Sequence, residues 1–414
     1  MSPASLSLAY CLALLWSLLF VSAVSAGGPA HGGKGAGMGT AFAAVADDPS
    51  AIAHNPAGIA FQKGTSLYLG GMAVAPETRY ESDNGYSEET KSQIFIAPHG
   101  YLSSELEWHD VTLGLGLFSP FGIGGRTWPD QGMIHYFSKE SLIATFMANP
   151  VIAWRPRPAL SIAFGIDYLW AYNHATQSVN QSIFQAQDGE SSLTADGDGW
   201  GWNVGLLWQV NSQYTLGAAY RSGIAVDLGG NIKLKNIAPA LQPLFQGPEI
   251  SSDAHTNIDF PEIATLGIAW HPTTRWTIAV EGEWVGWSSF QRQIITVDQP
   301  VADAGFDDME IVQNWRNSWI AKTGVELKID HTWALRTGYA YLSTPVPSAT
   351  LSPANPDAHQ HNYCFGVGYT RDRFTLDLFY VFARYQDRKA TGDFLNGEYS
   401  NQSHSIGFST GWRF

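Results

Sequence analysis

Hydrophobic and polar residues alternate with a period of two along most of this chain. Segment 160–170 reads "LSIAFGIDYLW", and its alternate positions form one continuous apolar and aromatic face. That face consists of Leu160, Ile162, Phe164, Ile166, Tyr168 and Trp170. The same alternation recurs in "WTIAVEGEW" (276–284) and "FTLDLFYVF" (374–382). Because successive side chains of a strand point to opposite faces, this period predicts β-strands and an all-β fold.

The opposite faces of these strands are small or polar and carry repeated carboxylates, such as Glu281 and Glu283. A soluble β-sandwich alternates in the same way. Composition favours another environment, since aromatic residues make up 13% of the chain and charged residues only 14%. An apolar face with aromatic ends suits lipid, and a polar face suits a lumen. The pattern therefore predicts a transmembrane β-barrel.

The links between the strands alternate between short and long. Tight links such as "VNSQY" and "HPTTR" alternate with links of about 15 to 30 residues, as periplasmic turns alternate with extracellular loops in outer-membrane barrels. Counting strands between the links predicts an antiparallel barrel of about fourteen strands. The last strand, "HSIGFSTGWRF", ends with the aromatic Phe414 on its apolar face, which fits a closing strand. Closure matters because an open edge in lipid would leave backbone groups without partners.

The N-terminus carries an export signal. An apolar run from Leu6 to Val24 ends in small residues, which predicts a signal peptide over residues 1–26, although no Lys or Arg precedes the run. A retained N-terminal anchor is the alternative. Removal of the signal takes Cys11 with it and leaves Cys364 without an internal disulfide partner. The net charge of −14 argues against nucleic acid as a partner.

Residues 27–64 have no place in the barrel wall, which we expect to occupy residues 65–414. They are rich in Gly and Ala, and Pro49 and Pro56 interrupt two short helical turns. A segment of this size cannot build its own core. We therefore expect it to lie in the lumen as an N-terminal hatch.

Several segments together resemble one known family. "AAVADDPSAIAHNPAGIA" resembles the hatch of the FadL/TodX family of outer-membrane transporters, and its Asn55-Pro56-Ala57 triplet carries most of the likeness. "GWGWNVGLLWQV", "FPEIATLGIAW", "WTIAVEGEWVGWSSFQ" and "WALRTGYAYLSTPVP" resemble successive strands of the family in the same order. The resemblance implies a 14-stranded, hatch-plugged barrel in the outer membrane. It also implies uptake of long-chain fatty acids or other hydrophobic compounds, with lateral release through a gap at the third strand.

The segment "LFSPFGIGGRTW" offers such a gap. Pro120 removes a backbone donor from the sheet, and Gly122 and Gly124 remove side chains. The alternative is that Pro120 to Gly125 begin the second extracellular loop. As a hypothesis, Asn55 and Pro56 hold the hatch against this gap.

Other residues are candidates for the substrate path. They lie in the hatch, in the third strand and in two loops whose apolar residues suit capture of a substrate. The candidates are Phe42, Ile52, Ile59, Phe61, Phe118, Phe121, Ile183, Phe184, Leu241, Leu244 and Phe245. For the loop residues the alternative is a small apolar core, and for the hatch residues it is packing against the wall.

The sequence favours a neutral substrate over a carboxylate. No Lys or Arg occurs from Pro158 to Tyr220, and Gln177 stands where the family resemblance places a basic residue. This departure favours aromatic or aliphatic hydrocarbons over long-chain fatty acids. Four basic residues remain open as carboxylate partners: Arg126, Lys139, Arg316 and Lys322.

No enzyme is predicted, because no nucleophile stands beside a recognisable base. No cofactor or metal site is predicted, since His359, His361 and the "DGDG" at 196–199 lack further ligands. We expect a monomer that contacts lipid and lipopolysaccharide and is inserted by the barrel assembly machinery through Phe414. A receptor or structural barrel without transport is the alternative function, and a general porin is a third.

Overall fold

A computed structural model describes residues 31–106, 110–301, 306–392 and 395–414. The predicted signal peptide lies outside the described residues. None of the helices in these ranges has both the length and the apolar character needed to cross a membrane.

Strands dominate the described chain, as the period-two pattern predicts. They are β1 Thr65–Ser82, β2 Ser87–Glu89, β3 Phe95–Leu106, β4 Val111–Phe118, β5 Ile123–Thr127, β6 Glu140–Arg157, β7 Leu160–Val179, β8 Gly189–Gln209, β9 Tyr214–Arg221, β10 Ile224–Lys235, β11 Ile250–Phe260, β12 Ile263–Trp270, β13 Trp276–Val285, β14 Arg292–Val297, β15 Met309–Val312, β16 Ser318–Lys328, β17 Trp333–Leu342, β18 Gln360–Arg371, β19 Phe374–Tyr385, β20 Arg388–Lys389 and β21 Gly397–Arg413.

These strands form a closed antiparallel barrel of fourteen wall strands, which confirms the predicted fold class. Wall strands one, four, five, six, eleven, twelve and fourteen are β1, β6, β7, β8, β17, β18 and β21. Each of the other wall strands is interrupted and consists of two segments. Wall strand two consists of β2 and β3, wall strand three of β4 and β5, wall strand seven of β9 and β10, wall strand eight of β11 and β12, wall strand nine of β13 and β14, wall strand ten of β15 and β16, and wall strand thirteen of β19 and β20. The barrel closes where β1 pairs with β21, from Ser66 opposite Arg413 to Ser82 opposite Gly397.

The two faces of the wall have the expected polarity. On β7, Ile162, Phe164 and Ile166 are 40%, 47% and 44% exposed on the outer face. On the inner face Ser161 and Asp167 are fully buried. Apolar side chains therefore face outward, where lipid replaces water, and polar side chains face a filled lumen.

The lumen is filled from the N-terminal side by short helices. These are α1 Gly33–Gly37, α2 Ala51–His54 and a 3₁₀-helix at Pro56–Phe61, and β1 starts directly afterwards. Elsewhere the chain has α3 Gln242–Phe245 and 3₁₀-helices at Ile134–Tyr136, Ser182–Phe184 and Trp287–Ser289. Glycines let the wall accept this hatch, because a Cβ atom on Gly338 would lie 2.2 Å from the backbone of Met38 and Gly39.

Candidate transport cavity and wall gap

Hydrogen bonds tie the hatch backbone to inward side chains of the wall. The Gly33 amide donates to Ser409 Oγ on β21 at 2.8 Å, and the Ala43 amide donates to Glu281 Oε2 on β13 at 2.7 Å. Ser161 Oγ on β7 donates to the Ala57 carbonyl at 2.8 Å. These contacts satisfy hatch groups that no water reaches, so the hatch is fixed on several sides of the lumen.

Asn55 joins two parts of the hatch to the wall. Its Nδ2 donates to the Ala43 carbonyl at 2.8 Å and to the Leu206 carbonyl of β8 at 3.0 Å. Its Oδ1 accepts from the Ala57 amide at 3.2 Å, which caps the 3₁₀-helix that begins at Pro56. The side-chain bonds of Asn55 to the wall thus reach wall strand six, whereas the sequence suggested a role at strand three.

Contact between the hatch and wall strand three comes from apolar side chains instead. Ile52 and Ile59 are fully buried and lie where a side chain on Gly114 of β4 would otherwise project. Ile52 also covers Gly116 of the same strand. The two isoleucines therefore pack against the wall and do not line an open space.

Several charged side chains in the lumen form buried ion pairs. Lys322 Nζ lies 2.9 Å from Glu281 Oε1 and 2.7 Å from Glu283 Oε2. Arg336 bridges Glu326 at 2.7 Å and Asp377 at 2.5 Å. Arg221 lies 2.5 Å from Asp167. Each of these three buried cations is therefore paired with at least one carboxylate of the wall.

Two titratable groups of the hatch are shifted by burial. Burial lowers the pKa of His54 to about 4, so its imidazole is neutral near pH 7. Its Nε2 donates to the His31 carbonyl at 2.8 Å. Burial and the neighbouring Asp47 raise the pKa of Asp48 to about 7, while hydrogen bonds from Ser50 oppose this shift.

A cavity of about 240 Å³ lies in the lumen beside the hatch. Hatch residues His31, His54 and Pro56 form part of its lining. Its apolar lining includes Met72, Val74, Ala97, Phe118, Ile123 and Val381. Its polar lining includes Asn203, Arg221, Lys322, Gln360, Asn362 and Ser403. Most polar side chains of the lining therefore already have protein partners, and the apolar residues named here come largely from wall strands one to three.

Wall strand three is kinked beside this cavity. β4 ends at Phe118, which pairs with Met147, and β5 resumes at Ile123, which pairs with Ala144. Residues 119–122 thus face only Thr145 and Phe146 of β6. Thr145 fixes this bulge, since its amide and its Oγ1 donate to the Gly122 carbonyl at 3.1 and 3.0 Å. The strand continues beyond the bulge to Thr127, so Pro120 to Gly125 do not begin the extracellular loop.

The ladder between wall strands two and three stops at the kink. β3 pairs with β4 only as far as Gly100 and Leu117. Within the described ranges, β3 residues 95–99 pair with β1 alone. The next backbone hydrogen bond across the gap is from the Lys91 amide to the Thr127 carbonyl at 2.8 Å, and Gln93 Nε2 donates to Thr127 Oγ1 at 2.7 Å. This unpaired stretch is the wall gap. Its outer border carries the exposed apolar residues Ile96 and Leu117, which suits contact with lipid.

The residues predicted to form the gap and the path candidates of the third strand lie at the kink. Phe118, Pro120 and Gly122 line the cavity. Phe121 points across the lumen and stacks on Phe260 of β11 at 4.6 Å. A Cβ atom on Gly124 would meet nothing within 4 Å, so this position borders open space.

The remaining predicted path residues lie away from the cavity. Phe42 is buried in a small cluster with Met38 and Ala279, and Phe61 lies under the guanidinium of Arg155 at 5.8 Å. Leu241 and Phe245 pack in an apolar cluster at the extracellular ends of the strands, which agrees with the alternative that these loop residues form a small apolar core. Ile183 is 62% exposed, Leu244 is 37% exposed, and Phe184 is partly exposed.

The basic residues left open by the sequence differ in their partners. Lys139 lies 2.8 Å from Glu190, so it is paired, as Lys322 is. Arg126 Nε donates to Thr78 Oγ1 at 2.9 Å and has no carboxylate oxygen within 4.0 Å among the described residues. Arg316 is exposed on the extracellular side of β16, and Gln177 is buried on β7.

The period-two pattern did not predict two structures that fill part of the lumen. Residues 343–359 between β17 and β18 fold inward, and Trp287, Phe290 and Trp315 form an aromatic cluster beside Phe121 and Phe260. The proline-rich "STPVPSATLSPANP" was the available signal for an irregular link, because its four prolines cannot donate to a β-ladder, but it does not indicate that the link folds inward.

A closed barrel with an apolar outer face, whose lumen holds the N-terminal helices and a cavity, has the architecture of an outer-membrane channel. The model of the family "Outer membrane protein transport protein (OMPP1/FadL/TodX)" matches residues 18–414, and the chain belongs to this family. It is therefore a transport protein of the outer membrane and not an enzyme.

Relatives and solved structures agree with this assignment. The chain is 23% identical over 395 residues to the long-chain fatty acid transport protein of Escherichia coli O6:H1, covering 86% of each chain. It is similar in structure to a Pseudomonas aeruginosa FadL homologue, with a TM-score of 0.82 and 19% identity over 93% of this chain and 99% of that one. The Pseudomonas putida toluene transporter TodX gives a TM-score of 0.73 with 18% identity, covering 88% of this chain and 94% of that one.

Proposed function

We propose that this protein takes up hydrophobic small molecules by facilitated diffusion and releases them sideways through the wall gap at strand three. One observation carries the proposal: the cavity is lined by residues from both borders of the gap. Ala97 belongs to β3, while Phe118, Pro120 and Gly122 belong to the kinked strand three. A molecule in the cavity therefore lies next to a part of the wall that no ladder closes.

Lateral release has a physical reason. An apolar solute gains roughly 25 cal/mol for each Å² that it keeps out of water, so a route from an apolar cavity into lipid avoids a costly aqueous step. The hatch opposes direct passage to the periplasm, because its backbone and side chains are bonded to wall strands five, six, nine and fourteen. The arrangement separates an oily solute from the periplasmic water.

The substrate class is aromatic or aliphatic hydrocarbons, or long-chain fatty acids, as the names of a toluene transporter and a fatty acid transport protein among similar chains suggest. We favour the neutral compounds. Lys322 and Arg221, the two cations that line the cavity, are both paired with protein carboxylates. A carboxylate ligand would have to displace one of these pairs.

We also propose that the protein acts as a monomer surrounded by lipopolysaccharide and phospholipid. Its closing strand supports recognition by the barrel assembly machinery, since the Phe414 amide donates to the Thr65 carbonyl at 2.8 Å while its ring is 64% exposed.

Uptake of radiolabelled toluene and oleate by bacterial cells with and without the protein tests the proposal. We expect toluene uptake to rise several-fold with the protein and oleate uptake to rise less. A rise for oleate alone would overturn the preference for neutral compounds. Equal uptake of both compounds with and without the protein would overturn transport and favour a receptor or structural barrel.

A further inference from the structure

The link between wall strands eleven and twelve is buried. β17 ends at Leu342 and β18 begins at Gln360, and we call residues 343–359 the crossing loop. All eight residues from 351 to 358 are buried. An ordinary extracellular loop would run over the surface, where water satisfies its backbone. This loop instead occupies the lumen.

The crossing loop reaches the far side of the barrel. Ser141 Oγ on wall strand four donates to the Ala354 carbonyl at 3.4 Å, and Trp128 Nε1 just after wall strand three donates to the Pro353 carbonyl at 3.0 Å. Asn401 Nδ2 on wall strand fourteen donates to the Pro356 carbonyl at 2.6 Å. Since strand four lies opposite strands eleven and twelve in a fourteen-stranded barrel, the loop spans the lumen.

Further contacts hold the near part of the loop. Arg388 donates to the carbonyls of Val346 at 2.5 Å and Asp357 at 3.0 Å. Thr350 Oγ1 donates to the Gln313 carbonyl at 2.8 Å. Four prolines reduce the number of amide groups that need partners, which makes irregular backbone less costly to bury. The inward conformation is therefore built from specific contacts.

The loop lies on the extracellular side of the cavity. The residues that flank it, Leu342 and Gln360, both line the cavity, so the loop begins and ends at the cavity lining. Its contacts are also suited to release. The bonds to the far wall are single hydrogen bonds to carbonyl oxygens, each of modest net strength, because water can replace the donor when the loop moves out. The large apolar side chains of the loop are few, Val346 and Leu351 being the main ones.

We propose that the crossing loop is an outer gate: molecules outside the cell reach the cavity only when this loop withdraws from the lumen. The proposal rests on the proposed uptake function. It gives the channel two closures, with the hatch on the periplasmic side and the crossing loop on the extracellular side. Access through the wall gap from the outer leaflet is the competing route.

A reversible disulfide tests the gate. The double variant Ser141→Cys with Ala354→Cys places a thiol on each of two residues that are in contact, since Ser141 Oγ donates to the Ala354 carbonyl at 3.4 Å. The single variants are matched controls, and a gel shift verifies the bond. We expect toluene uptake to fall about tenfold in the oxidised double variant and to return with dithiothreitol. Uptake that is equal in the oxidised and reduced protein would overturn the gate.

A second measurement does not depend on uptake. Cys364 lines the cavity below the loop and is the one cysteine of the described chain. In the oxidised double variant it is the remaining free thiol, so an impermeant maleimide added to intact cells reports access to the cavity. We expect Cys364 to react at least tenfold faster when residues 345–357 are replaced by a short Gly-Ser linker than when the loop is locked.

The variant Cys364→Ser identifies the labelled site, and heat-modifiable migration on gels shows that the linker variant has assembled. Equal labelling of Cys364 in the locked and linker variants would overturn the gate. If labelling differs but even the wild-type protein takes up nothing, then the proposed function fails and the gate stands.

Discussion

At the scale of single residues, Asn55 connects the hatch to the wall. Its amide bonds both to the hatch and to wall strand six, and its Oδ1 caps the helix that follows. Gly205 of wall strand six accommodates it, because a Cβ atom there would lie 2.3 Å from Asn55 Oδ1. Asn55 is fully buried, so its loss would leave carbonyl and amide groups without partners or water.

We expect Asn55→Ala to loosen the hatch without preventing assembly of the barrel. Loss of a buried group with several hydrogen bonds costs about 2 to 4 kcal/mol, which is enough to populate a detached hatch. Single-channel conductance in planar bilayers should rise, and toluene uptake should change. Asn211→Ala is the matched control, because Asn211 caps an exposed periplasmic turn through the amides of Gln213 and Tyr214. An Asn55→Ala protein that fails to assemble would instead show that the residue is needed for folding.

The sequence indicated the orientation of single residues better than their partners. Period two placed Glu281 and Glu283 on the inner face, and both lie there. Their common partner Lys322 comes from β16, where Glu281 and Lys322 are direct cross-strand neighbours. That pairing depends on the register between two strands separated by a long loop, which no local pattern specifies.

At the scale of elements, regular strands were predictable and irregular segments were not. The alternation of β7, β13, β19 and β21 is visible within each segment of sequence, because a wall with lipid on its outer face needs an apolar side chain at every second position. The kink of wall strand three was visible as Pro and Gly, but its continuation into β5 depends on Thr145 of the neighbouring strand. The inward path of the crossing loop depends on contacts with wall strands four and fourteen, which lie more than 40 residues away.

Removal of the hatch tests its role as a plug. We expect a variant without residues 27–64 to form a barrel with a water-filled lumen, because wall groups such as Glu281 and Ser409 would lose their hatch partners and become hydrated. Ion conductance should rise by about an order of magnitude, and uptake should lose its preference for apolar compounds. Unchanged conductance with selective uptake would show that this segment is not the plug.

At the scale of the whole molecule, we propose that the barrel combines three barriers and one opening. The hatch fills the periplasmic side of the lumen, the crossing loop spans the extracellular side, and the wall is hydrogen-bonded around most of its circumference. The cavity lies beside the hatch, next to the strand ends Leu342 and Gln360 that flank the crossing loop, and it reaches the wall where β3 and the kinked strand three are unpaired. We therefore predict that transported molecules leave through the wall and not through the hatch.

Straightening wall strand three tests this route most directly. Deleting Ser119 and Pro120 leaves two residues opposite Thr145 and Phe146, so the ladder can run from β4 into β5 without changing which side chains face the lumen beyond it. Deleting Gln299 and Pro300 from the exposed link between β14 and β15 is the matched control. We predict that toluene uptake falls at least tenfold in the straightened variant while the barrel assembles normally and the control keeps its uptake. Undiminished uptake by an assembled, straightened variant would contradict lateral release through the gap.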